Sequence, residues 1–314
     1  MHSMQIVHVS HSLPVTLMKF HCCAVPFVLL IILGSVSTLA GSEAEARSKA
    51  SSVVWLSDYR DAMSRAEASG QMLLIWFSDP AWETNDAGFE RAVLHDPSIA
   101  SSIDKRFVPV RLSVNATVPN GDGQTTLLKD PAFAEMLGLP GLAILDLSDQ
   151  NSPLYRRVVS VYPFKGHYIS KARLAALLDL PRGTLTQRTL IFAVRTHSEQ
   201  PASAGSHLSP LLAQETESHA FHQASILLQG HHNWESRFHA INARLPTGLL
   251  AQEVCAESWP GQTLVEAADD CVHAWRQSPG HWEAVRSRHA LFGYDMQRGA
   301  NGVWYATGIF ARMH

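Results

Sequence analysis

The chain has 314 residues, with 46% hydrophobic and 17% charged side chains, which is an ordinary globular balance and enough length for two cores. Its 25 Lys and Arg against 28 Asp and Glu give a formal net charge of −3. No block of basic residues interrupts it, so nucleic acid is excluded as the main partner, and the membrane enters only through the leader described next.

Residues 1–40 read as a secretory signal outside the fold. Lys19 and His21 precede the apolar run Cys22–Leu33, and Thr38-Leu-Ala40 places small residues at the −3 and −1 positions of a cleavage site. Met18 is an alternative start. An apolar core of about a dozen residues is short for a bilayer span, so export to the periplasm, cell envelope or medium is expected.

Residues 52–165 alternate helical and strand patterns. Trp55–Gly70 has apolar residues at helical spacing, with Ser57 or Asp58 as cap. Met72–Phe77 is a continuous apolar run of strand length. The pattern then predicts a helix over 89–103, a strand over 107–112, a helix over 131–137, and strands over 142–145 and 156–161. Such alternation implies an α/β sheet.

This stretch resembles a thioredoxin-like domain. The resemblance rests on the first helix ending at Ser69-Gly70, the strand 73–77 with Trp82 after it, the strand 107–112, and Pro140-Gly-Leu-Ala-Ile-Leu-Asp146. It implies that Pro140 is the family's cis-proline. Where that family has Cys-x-x-Cys, this chain has Glu83-Thr-Asn-Asp86. Dithiol exchange requires a thiolate, so no thiol–disulfide oxidoreductase activity is expected. A scaffold or a peptide-binding groove beside Pro140 remains. As a cation site Glu83 and Asp86 have a simpler rival, which is that both complement a helix dipole.

Residues 166–182 read as a connector closed by Pro181-Arg-Gly183. From 183 to 314 the pattern predicts a helix over 184–196, a polar loop, and a second helix over 210–229 ending at Gly230. His231-His232 follow, and 11 of the chain's 17 histidines lie beyond residue 195. Further on, Glu253 falls on a short apolar segment, and residues 264–275 read as an amphipathic helix. Gln277-Ser-Pro-Gly-His281 then opens another helix. Ser278 suits the N-cap and Pro279 the first helical position, which puts His281 near the third. The positive end of the helix dipole keeps that imidazole neutral and able to accept or ligate.

Once the leader is removed, Cys255 and Cys271 remain. In an oxidising compartment a bond between them would close a loop of about 15 residues, worth roughly 3 kcal/mol, and two separate buried thiols are the alternative.

The second half resembles the CAP superfamily, most closely its bacterial SCP-like branch. The matching features, in order, are Leu208-Ser-Pro-Leu211 leading into a helix, a histidine after that helix followed by an Arg, Glu253 on a strand, and Trp275-Arg-Gln-Ser-Pro-Gly-His281. Residues 292–296 and 302–310 fit a closing hairpin. The resemblance implies an α-β-α sandwich whose cleft gathers His232 or His231, Glu253 and His281, with Glu257 as second choice for a further acidic position. Two imidazoles and a carboxylate suit a three-ligand Zn²⁺ site, although no cofactor is required. Trp234, Trp259, Trp275, Trp282 and Trp304 are expected in the core or the cleft wall.

Three functions follow. The first is an exported binding protein whose cleft holds an extracytoplasmic ligand such as cell-wall material, glycan, lipid or protein. The others are a zinc-assisted hydrolase at the His/Glu/His cleft and a protein- or peptide-interaction module with both domains degenerate. No nucleophile arrangement is discernible, which weighs against an enzyme.

Overall fold

The computed structural model describes residues 53–120 and 123–313, so the leader and its cleavage site lie outside the described residues. The fold is α/β, with two four-stranded sheets. No helix among the described residues is long and apolar enough to cross a membrane.

Helix α1 (Tyr59–Ser69) is capped by Asp58, whose carboxylate accepts from Asp61 N, and ends at Gly70 in the left-handed region, φ +64°. Strand β1 (Met72–Ser78) follows. Residues 72–77 are buried throughout because both faces of the sheet are covered, which explains the unbroken apolar run. Leu73, Ile75 and Phe77 pack on one side with Ala62 and Ala66, while Leu74 and Trp76 pack on the other with Phe89 and Ile103.

The helix expected over 89–103 is broken. Helix α2 (Glu83–Phe89) passes into a wide π turn over Glu90–Leu94, and α3 (Pro97–Arg106) starts afresh, capped by Asp96. Pro97 lacks the N–H needed to continue a helix from behind and therefore begins one.

Strand β2 (Phe107–Ser113) pairs parallel with β1. A hairpin of β3 (Thr117–Asn120) and β4 (Gly123–Thr126), which has no expected counterpart, comes next. Residues 131–136 form a 3₁₀ turn, and β5 (Gly141–Asp146) and β6 (Arg157–Pro163) complete the antiparallel side, in the order β2-β1-β5-β6.

No peptide bond among the described residues is cis, so the cis assignment at Pro140 is corrected. The Pro140 carbonyl accepts from Phe164 N at 2.7 Å, and the close approach of β6 is met at Gly141, where a Cβ would lie 2.3 Å from Tyr162 O.

The connector carries α4 (Lys171–Leu178), whose Leu174, Leu177 and Leu178 are buried. Helix α5 (Leu185–Thr196) starts with a full capping box between Thr184 and Gln187. It packs on both sheets, and Arg188, fully buried, donates to Ser160 Oγ of β6 at 2.7 Å and to the carbonyls of Leu180 and Pro181. One apolar cluster runs from Trp76 through Phe192 to Trp275, so the described residues form one compact unit with a core that spans both halves.

The second sheet has the order β7 (His207–Leu208), β9 (Leu291–Arg298), β10 (Trp304–Met313), β8 (Leu249–Glu257). Helix α8 (Leu264–Gln277) and α5 cover one face through Val254, Ala256, Tyr294 and Ala306. Helices α6 (Pro210–Ile226) and α7 (Trp234–Asn242) cover the other, against Ala251, Ile309 and Ala311.

Strand alternation corrects the disulfide assignment. Cys271 on α8 packs with Val254 and Ala256 on one face, whereas Cys255 points to the opposite face, beside His231. Both are separate, buried, free thiols.

Candidate functional site

The polar centre of the second half forms where α6, the loop after it, β8 and α9 (Pro279–Arg286) converge. Helix α6 stops at Leu227 in the left-handed region, φ +56°, before the expected Gly230. The chain is then clamped from the helix it has just left. Gln223, fully buried, accepts from Gly230 N at 3.0 Å through Oε1 and donates to Thr307 Oγ1 of β10 at 2.9 Å through Nε2. His219, one turn earlier on α6, donates from Nε2 to Gly230 O at 2.9 Å. These bonds fix the two histidines that follow in opposite roles.

His231 turns inward, and its Nδ1–H donates to Glu253 Oε1 at 3.0 Å. Arg237, in the first turn of α7, donates to Glu253 Oε2 at 2.5 Å. The Glu253 side chain has no exposed surface. Burial by itself would raise its pKa, but the hydrogen bonds from His231 and Arg237 outweigh it and the carboxyl is held below its ordinary range. Because a carboxylate only accepts, His231 is fixed as the tautomer whose Nε2 lone pair faces outward. There His281 Nε2 lies 3.4 Å away, in position to donate. Burial and then the neighbouring His231 lower His281, which keeps it neutral near pH 7. Ser278 occupies the N-cap of α9 as expected, but its side chain makes no capping bond.

His232, the first choice from sequence, turns away. Its Nε2 donates to Leu228 O at 3.2 Å, and a Cβ on Gly230 would come within 3.2 Å of its ring. Glu257 does not join the cluster either. It is exposed at the end of β8 and lines a separate cavity of about 280 Å³ with Trp259, Asp270 and His273. Trp259, expected in the core or the cleft wall, is 72% exposed at the rim of that cavity, whereas Trp275, Trp282 and Trp304 are buried and Trp234 is partly buried. Larger cavities, of about 490 and 520 Å³, open beside α8 and beside Gln187, and neither is lined by His231 or His281. The His231 side chain is 41% exposed and His281 is half-buried, so the pair meets solvent outside these cavities.

Three members of the cluster were missed by sequence reasoning. The sequence pattern places Arg237 only after a histidine, leaves Cys255 between a disulfide and a buried thiol, and puts His219 within a helix. His219 is 2% exposed, and burial pulls its pKa down to about 4. Cys255 lies with its Sγ 3.7 Å from His231 Nδ1, and burial followed by the Glu253 charge pushes its thiol up. The only available signal was the period of β8, which sets residues 253 and 255 on one face.

The first half holds a different polar cluster. Asp86, 4% exposed, accepts from Arg111 Nη2 and from the Tyr168 hydroxyl, both at 2.5 Å. Arg111 also reaches Glu90 at 2.7 Å and lies 4.2 Å over the Trp76 ring. Tyr168 stacks on Phe89 at 4.6 Å and meets Trp82 edge-on at 5.3 Å. Burial, then Asp86, raises the Tyr168 phenol. The Glu83 side chain is outside the described residues.

No protein-family model matches the chain, and no curated protein matches it. Among solved structures it is similar to an outer surface protein from Borrelia burgdorferi, at 17% identity over 35% of this chain and 78% of that one, with a TM-score of 0.28, too slight a likeness to bear on fold or function.

Proposed function

We propose that the protein is an exported binding protein built of two domains packed on one continuous core. In this reading a CAP-like second domain presents the His231–His281 face to an extracytoplasmic ligand, and a thioredoxin-like first domain serves as a scaffold without redox chemistry. The observation that carries the reading is the meeting of two imidazoles from separate segments at 3.4 Å, over a buried and fully engaged carboxylate. One parallel and two antiparallel pairings in the order β2-β1-β5-β6 support the thioredoxin-like assignment, and helices on both faces of the second sheet support the CAP-like one. The apolar run before Ala40 supports export.

A zinc-assisted hydrolase is favoured by one distance. Two nitrogens bound to one tetrahedral Zn²⁺ at about 2.0–2.1 Å stand roughly 3.4 Å apart, which is the separation of the two Nε2 atoms. His231 and His281 would hold such an ion, with Glu253 fixing His231 from behind. Glu253 is not free to serve as base, since both of its oxygens are taken.

The test is a titration of the purified protein with soluble cell-wall fragments, neutral glycans and lipid micelles, following the imidazole resonances by NMR. A ligand of the proposed face shifts His231 and His281 and leaves His239 unmoved. If no probe moves either ring and Zn²⁺ is not retained on dialysis, both readings fail.

A further inference from the structure

Behind the exposed pair lies a second set of donor atoms that the outer face does not use. His231 faces solvent through Nε2 and the interior through Nδ1. Around Nδ1 stand Glu253 Oε1 at 3.0 Å and Cys255 Sγ at 3.7 Å, and His219 Nε2 is 3.7 Å from the same Glu253 oxygen. Donor atoms of His219, Glu253 and Cys255 all lie within 4.8 Å of one another, and all three residues are buried. A tetrahedral ion with bonds of about 2.0–2.1 Å to nitrogen or oxygen and about 2.3 Å to sulfur needs donor–donor edges of roughly 3.3–3.7 Å. His231 Nδ1 stands 3.0 Å from Glu253 Oε1 and 3.7 Å from Cys255 Sγ, and His219 Nε2 stands 3.7 Å from Glu253 Oε1; the His219, Glu253 and Cys255 donors close to within 4.8 Å of one another, so the side chains draw in to take an ion.

We propose that His219, His231, Glu253 and Cys255 form a buried site for a soft d-block cation, Cu⁺ in preference to Zn²⁺. The proposal rests on the placement of His231 and Glu253 described above, and because an ion at Nδ1 puts the His231 proton on Nε2, it excludes a zinc ion held by the outer pair at the same time.

Thiolate and imidazole donors select Cu⁺ and Zn²⁺ over hard cations. Charge then separates the two. Arg237 holds Glu253 through Oε2, Oε1 is freed for the ion once the His231 proton leaves Nδ1, and the Glu253 and Arg237 charges cancel. The thiolate of Cys255 offsets one further positive charge, so Cu⁺ leaves the interior neutral whereas Zn²⁺ leaves one uncompensated charge in it.

Protons balance as follows. Cys255 loses its thiol proton to solvent. The imidazole protons of His231 and His219 move to the nitrogen remote from the ion, and His219 gives up its bond to Gly230 O. One proton is released per ion bound, and no electron is transferred. The His231 side chain is 41% exposed, which makes its swing the way in.

The experiment measures Cu⁺ binding to the purified protein under reducing, anaerobic conditions against a chromogenic chelator. Zn²⁺ and Co²⁺ serve as further arms. One equivalent of Cu⁺ is expected, with affinity falling by more than about 100-fold in Cys255→Ser and His219→Gln, since loss of an outer-shell contact alone costs 10–100-fold. His281→Ala removes only the outer contact of His231 and is expected to cost no more than about 10–100-fold, less than either ligand change. Co²⁺ should give a near-ultraviolet thiolate charge-transfer band that Cys255→Ser abolishes. Absence of bound Cu⁺, or wild-type affinity in Cys255→Ser, overturns the site. A chain weakened by His281→Ala but not by Cys255→Ser overturns it in favour of the outer pair alone. Should Cys255→Ser not fold, Cys271→Ala leaves Cys255 as the one thiol after residue 41. Bound Cu⁺ must then slow its alkylation at least about tenfold, and unchanged alkylation overturns the proposal.

Discussion

Each half of the molecule buries a carboxylate against an arginine, and the two arrangements end differently. Asp86 in the first half is closed off. Its second partner is the Tyr168 phenol, sandwiched among Phe89, Trp82 and Phe164, and its arginine is shared with Glu90. Glu253 in the second half hands its charge to an imidazole, and that imidazole meets another at the surface. A phenol raised by burial and a neighbouring carboxylate neither ionises nor ligates near pH 7, whereas an imidazole held as one tautomer presents a lone pair that can ligate. The same ionic lock is thus structural in one half and offers chemistry in the other. The difference lies in the last side chain of the relay.

That contrast can be broken by truncating both carboxylates. Glu253→Ala leaves Arg237 charged and only 18% exposed, with its Nη1 already lacking a partner, and should cost about 3–5 kcal/mol in urea unfolding. Asp86→Ala should cost less, about 1–3 kcal/mol, because Arg111 is 33% exposed and keeps Glu90 and the Trp76 face. Equal losses would mean that both locks are equally sealed.

A third buried carboxylate sharpens the point, because it has no ion pair among the described residues. Asp295 on β9 accepts only from Gln187 Nε2, at 3.4 Å, from Met296 N, and from Thr186. Burial, reinforced by Glu217, pushes it up to about 7. A folded pKa above the unfolded one means that the folded state binds the proton more tightly. Stability from this group is therefore present at low pH and is lost as pH rises through about 7. Asp295→Asn removes the dependence, so its advantage over the wild type should grow between pH 4 and 7, by a few kcal/mol, and then level off. A gain independent of pH would show that Asp295 is charged in the fold.

Much of this was legible wherever a local rule acts alone. The run 72–77, the helix that begins at residue 184, and the Ser278–Pro279 start that places His281 all follow from covered faces and helix-end rules. The choice between His231 and His232 was not legible, because a loop has no period and the clamp that decides it comes from Gln223, seven residues before Gly230. The separation of Cys255 from Cys271 was hidden too. Alternation gives the face of Cys255 relative to Glu253, but only the fold says which face α8 covers. Trp259 stays out of the core because it lies just past the end of a strand, where hydrophobicity predicts burial only on average.

Two small effects complete the comparison. His232→Ala touches only one bond, to Leu228 O, and should stay within about 0.5 kcal/mol of the wild type. It should also leave the His231 resonance in place, whereas His281→Ala moves that resonance at similarly small cost. The smallest expected effect is that of reduction. A bond between Cys255 and Cys271 would close a loop of about 15 residues and contribute roughly 3 kcal/mol, so a reductant would then lower the Tm by several degrees. With the two thiols on opposite faces of β8, reductant should leave the melting curve of the chain after residue 41 unchanged. A fall in Tm would require both sulfurs on the α8 side of the sheet, which removes Cys255 from beside His231. The buried donor set would go with it, and the Glu253 relay would then rest on His231 and Arg237 alone.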